Sequence, residues 1–179
     1  MRLGYHFNKS LQRVNWPSRL EHLHFGHCFN QNLERVEFPC SPHTLELGAD
    51  FNQSLEGVIL PQSLHTLRFG HSFNQSLLTV DVPDTLRILH LGFAFDQALE
   101  TLKLPKLEEL ELGYSFSQSL DEAQWPSLQT LSFAPSYPHS LQNLALPSLK
   151  RLRCQGLSTS TGDSTERGNK DKRKQSCTA

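Results

Sequence analysis

The chain has 179 residues, 37% of them hydrophobic, with 17 Lys and Arg set against 18 Asp and Glu. Phosphate backbones need clustered Lys and Arg, so this balance argues against a nucleic-acid binder. No run is long enough to span a membrane, and the N-terminus has no apolar signal stretch. Cys28, Cys40, Cys154 and Cys177 share no repeat position and no metal-ligand spacing, which fits a reducing, cytoplasmic setting without disulfides.

From the first residues onward one pattern repeats. Phe7, Phe29, Phe51, Phe73, Phe95, Phe116 and Tyr137 are spaced 22, 22, 22, 22, 21 and 21 residues apart. Prolines keep the same beat at Pro17, Pro39, Pro61, Pro83, Pro105, Pro126 and Pro147. Glycines keep it at Gly4, Gly26, Gly48, Gly70, Gly92 and Gly113, with Ala134 in the last copy. A fixed period of this size means stacked coils rather than one central core. The predicted fold class is mainly β, a parallel β-solenoid of about seven turns of 21–22 residues with very little helix.

Met1-Arg2-Leu3-Gly4 aligns with Leu23-His24-Phe25-Gly26, so the chain opens inside a strand. Neither end shows a polar cap, which suggests a piece of a longer array, or ends covered by a partner or by end-to-end contact. The clearest copy runs from Leu55 to Ser76. Alternation at Val58/Leu60 and again at Leu67/Phe69 predicts two short strands per coil, each with one buried face. Pro61 fixes the first corner, and Gly70 supplies at the second a conformation that a Cβ would resist. Asn8, Asn30, Asn52, Asn74 and Asp96 follow the aromatic and are placed to hydrogen-bond the neighbouring coil's backbone. That ladder should fade at Ser117 and Pro138, in the coils that have lost a residue. The solenoid domain is assigned to residues 1–154. Residues 155–179 are almost devoid of apolar side chains and are assigned as a disordered polar tail. Lys170-Asp-Lys-Arg-Lys174 reads as solvated charge, with a nuclear signal as the alternative. The tail holds five basic and three acidic residues, which leaves 12 basic and 15 acidic on the repeats.

Pro61-Gln-Ser-Leu64-His-Thr-Leu67-Arg-Phe69-Gly70-His-Ser-Phe73-Asn74-Gln75 resembles the FNIP repeat, a subfamily of the leucine-rich repeats. Residues 17–31 share its frame, and residues 83–97 do so more loosely. Ser54, Ser76 and Ser119 depart from the proline that often follows Phe-Asn-Gln in the family. The L-x-x-V-x-L-P half is also similar to BspA-like leucine-rich repeats. The resemblance implies a leucine-rich-repeat solenoid with a binding role. FNIP proteins often carry an F-box, and no segment here is long enough to be one.

Chemistry finds little purchase in this pattern. The recurring serines Ser10, Ser54, Ser76, Ser119 and Ser140 occupy one repeat position, and no nucleophile elbow, phosphate loop or catalytic carboxylate pair appears, so no enzyme is expected. Among nine histidines, His27 and His71 stand two coils apart, roughly 10 Å by strand spacing and too far for one zinc ion. No metal or cofactor is expected. The outward strand position carries His24, Glu46, Arg68, His90 and Glu111, continuing to Ser132 and Arg153. These five residues are the predicted surface for a protein partner, with Glu46 beside Arg68 as a favourable cross-strand pair. The competing reading is a structural solenoid fragment with no specific partner. A second outward column, including Glu37, Ile59 and Asp81, lies on the opposite side of the coil.

Overall fold

A computed structural model of the chain describes residues 1–154 apart from 142, 143 and 145. The tail assigned from residue 155 onward lies outside the described residues. Among the described residues seven short strands form: β1 (His22–His24), β2 (Thr44–Glu46), β3 (Thr66–Arg68), β4 (Ile88–His90), β5 (Glu109–Glu111), β6 (Thr130–Phe133) and β7 (Arg151–Cys154). They make one sheet in sequence order, all pairs parallel, and Arg2 adds an isolated bridge to His24 below β1. The register holds like against like, so Leu23, Leu45, Leu67, Leu89, Leu110, Leu131 and Leu152 form one column. The fold is the parallel β-solenoid expected from the period, of the leucine-rich-repeat type that the resemblance implies. Among the described residues there is no helix, hence none long and apolar enough to cross a membrane.

Among the described residues the second strand per coil does not form. Val58 and Leu60 are buried and Ile59 is 79% exposed, so the alternation sorts the side chains as expected. The backbone, however, closes on itself there: the Val58 N–H donates to Leu55 O at 3.0 Å and the Leu64 N–H to Pro61 O at 3.0 Å. Two tight turns leave too short an extended stretch between them for a ladder, and proline has no donor to give it. The glycine expectation also changes. Gly70 has no positive φ; among the described glycines only Gly57 does, at 72°. What the column requires is space, since a Cβ on Gly48 would lie 1.9 Å from Gly26 O and one on Gly70 2.2 Å from Gly48 O.

Three ladders knit the coils where no strand does. The aromatic spine stacks Phe7, Phe29, Phe51, Phe73, Phe95, Phe116 and Tyr137 at centroid separations of 5.9 to 6.2 Å. Asn30 Oδ1 accepts the Asn52 N–H at 2.9 Å and Gln53 Nε2 at 3.0 Å, and Asn52 and Asn74 repeat this toward the next coil. The last rung of this ladder is Asp96, which accepts from Ser117 and Gln118, so the fading beyond Ser117 is as expected. A third, unanticipated ladder uses hydroxyls. Ser63 Oγ donates to Cys40 O or Pro42 O, both at 2.8 Å, and Thr85 Oγ1 to Gln62 O or Leu64 O, both at 2.8 Å.

Candidate functional site: the outer face of the sheet

Strands β1 to β5 each bury their middle leucine and turn the two flanking residues outward, because successive side chains alternate across a sheet, whereas in β7 Leu152 is half exposed. All five predicted residues sit in the third strand position, in one column, and all are partly exposed. Two groups form within the column. In the first, His24 Nδ1 meets Glu46 Oε2 at 2.6 Å, and Arg68 Nε lies 3.7 Å from Glu46 Oε1. The predicted Glu46–Arg68 pair is therefore an ion pair across two strands, with Arg68 Nε itself lacking a hydrogen-bond acceptor. In the second, His90 Nδ1 lies 3.2 Å from Glu111 Oε2. Ser132, next in the column, is buried.

The sequence reading missed three further features of this face. Glu109, in the first strand position of β5, reaches His90 Nε2 at 3.2 Å from the other side of the ring. The residue before each strand forms its own column, in which His43 stacks on His65 at 5.1 Å and Arg87 pairs with Glu108. The residue after each glycine forms another: Tyr5 stacks on His27 at 4.7 Å, His71 on Phe93 at 4.7 Å and Phe93 on Tyr114 at 5.2 Å. Tyr5, Phe93 and Tyr114 are 59%, 47% and 54% exposed, although residues of these types normally bury much of their surface. Their recurrence directly after the glycine was the available signal. Glycine itself contributes no side chain, and an open cleft of about 660 Å³ runs beside Gly26 and Gly48, bounded by Tyr5, His27 and Glu46.

The face thus offers paired charges in its middle and stacked rings along one margin. It shows no arrangement of nucleophile, base and oxyanion donors among the described residues.

The FNIP Repeat family model matches residues 29–72 and 73–115. A solved structure described as a novel circular leucine-rich-repeat protein, CroV588, is similar to this chain with a TM-score of 0.63 and 30% identity. The match covers 83% of this chain and 26% of that one, so this chain spans about a quarter of that protein's length. No curated protein matches the chain. Repeat and solenoid families of this kind are generally non-enzymatic interaction modules.

Proposed function

We propose that this chain, a leucine-rich-repeat solenoid built of FNIP repeats, binds another protein through the outer face of its sheet, as the recognition part of a longer adaptor in the cytoplasm. The observation that carries the reading is the contiguous strip of His71, Phe93 and Tyr114, stacked yet open to solvent, alongside the His24–Glu46–Arg68 and His90–Glu111 groups. Exposed rings beside ordered charges have the composition of protein-binding patches, in which aromatic anchors supply affinity and charges supply register. Ile59 on the opposite side, like Val14 and Leu78, is an exposed apolar residue without an aromatic stack, of the ordinary scattered kind. A binding role in place of catalysis also agrees with the regularity of the coils, where reactive groups do not break the pattern.

The test compares captured proteins quantitatively across variants of the full chain. Phe93→Ala with Tyr114→Ala, and separately Arg68→Glu, should each reduce recovery of the same set about tenfold or more, as truncating central anchors does. Glu37→Lys with Asp81→Lys, on the opposite side, should leave it intact. Arg68→Glu sets a like charge against Glu46, a pair whose side chains are 36% and 43% exposed, so the cost to stability should stay within about 1 kcal/mol. Loss of capture in the opposite-side variant alone would place the interface there. Undiminished capture in all of them would favour the purely structural reading.

A further inference from the structure

Glu109 and Glu111 are alternate residues of β5 and so project to the same side, and His90 is the register partner of Glu111 on β4. The imidazole lies between the two carboxylates, with Nε2 3.2 Å from Glu109 Oε1 and Nδ1 3.2 Å from Glu111 Oε2. One ligand atom from each of the three side chains lies within 4.8 Å of the others. Elsewhere on this face the carboxylates are matched by guanidinium groups, Glu46 by Arg68 and Glu108 by Arg87. Among the described residues Glu109 and Glu111 have no Lys or Arg at ion-pair distance, and their ion-pair partner is His90 alone. The strand on the far side presents Thr130 and Ser132, which are neutral.

We propose that His90, Glu109 and Glu111 bind one divalent ion of the zinc class, bridging β4 and β5. Two ligands of a tetrahedral zinc ion stand about 3.4 Å apart, given bonds of about 2.0–2.2 Å to nitrogen and oxygen. Whichever ring nitrogen ligates, the carboxylate that faces it already stands at about that spacing, while the other carboxylate, which faces the second nitrogen, must swing round the ring, the widest gap closing by about 1.4 Å. Glu109 and Glu111 have the freedom to do so, with side chains 36% and 39% exposed, while His90 is held at 17%. Two carboxylates with a neutral imidazole balance a divalent charge. A single nitrogen among few oxygens suits zinc over calcium, which takes six to eight oxygens. Three protein ligands leave a fourth position open to water or to a side chain of a bound protein. The earlier expectation of no metal rested on pairs of histidines in equivalent positions, and this site needs only one.

Zinc chloride titrated into the full chain by calorimetry, with calcium chloride as the comparison, tests the site without any partner protein. Failure of this test therefore leaves the binding role of the face untouched. One zinc per chain is expected, with little response to calcium. Affinity should fall about tenfold or more in His90→Ala and in Glu109→Gln with Glu111→Gln, which keep the shape of the outward side chains. Glu37→Lys with Asp81→Lys, on the opposite side of the coil, should retain zinc binding. Cobalt in place of zinc should give a visible absorption band that the same variants lose. Absence of stoichiometric zinc uptake by the unaltered chain overturns the proposal, as does uptake preserved in both variants, which would point to Cys28 and His6 instead. Circular dichroism checks each variant's fold, and the glutamine pair decides the matter if His90→Ala is poorly folded.

Discussion

Asp96 occupies the position held by Asn8, Asn30, Asn52 and Asn74 in the preceding coils, and the change from amide to carboxylate gives one rung of the ladder a charge. Burial pushes its pKa up, but the Ser117 N–H, the Gln118 amide and the Ser117 hydroxyl together outweigh that and hold the carboxyl below its ordinary value of 3.8. A lowered carboxylate contributes stability that is complete above the ordinary value and is lost as pH falls through the folded one. Asp96→Asn keeps an oxygen for the Ser117 N–H and Gln118, as Asn74 does for the coil above it. The variant should therefore be less stable at neutral pH by on the order of half a kcal/mol after solvent screening. That gap should close below pH 3.8, which urea melts at neutral and acid pH would measure. A gap that does not vary with pH would mean that the charge has no role in the rung.

Among the elements, the aromatic spine is the one a single substitution probes most directly. Phe73 is fully buried, stacked between Phe51 and Phe95 at 6.0 Å on each side and touched by Phe69 at 3.8 Å. Phe73→Ala should cost about 3–5 kcal/mol, read as a shift of the chemical-denaturation midpoint, and an unchanged midpoint would remove the spine from the account of stability. The spine, the leucine column and the Asn ladder were all legible, because each is a like residue recurring at the period of the coil. The missing second strand was not: alternation reports which side chains are buried, whereas a ladder depends on backbone donors that two tight turns and Pro61 had already taken. Phe93 and Tyr114 were hidden for a related reason. Their type suggests a core, and only their place after the glycine turns them outward. Glu109 escaped because its partner His90 lies on another coil and in a different strand position, so no single column contains both.

At the scale of the molecule, equivalent points on successive coils are not equally spaced everywhere. Spine rings repeat at 5.9 to 6.2 Å, whereas paired strands repeat at about 4.8 Å. The rings at the margins of the sheet repeat at 4.7 to 5.2 Å. A stack that is tighter on one side must bend toward it, so the sheet lies on the inside of the curve and its columns converge there. The glycine column at the sheet's end has a different kind of reach. A Cβ on Gly26 would strike Gly4 O at 1.8 Å, yet a Cβ on Gly4 would meet nothing within 4 Å. Intolerance at Gly26 is thus imposed by the coil below it and belongs to neither residue alone. Gly26→Ala in the full chain should cost about 1–3 kcal/mol by overpacking, while in a chain shortened by residues 1–20 it should be close to neutral, a difference thermal melting of the four proteins would read. Equal losses in both backgrounds would make the constraint torsional instead. Genetically, the two changes would be epistatic: a coil duplicated beneath an existing one turns a permissive site into a forbidden one, so the array remembers, in which glycines it can lose, the order in which its coils are stacked.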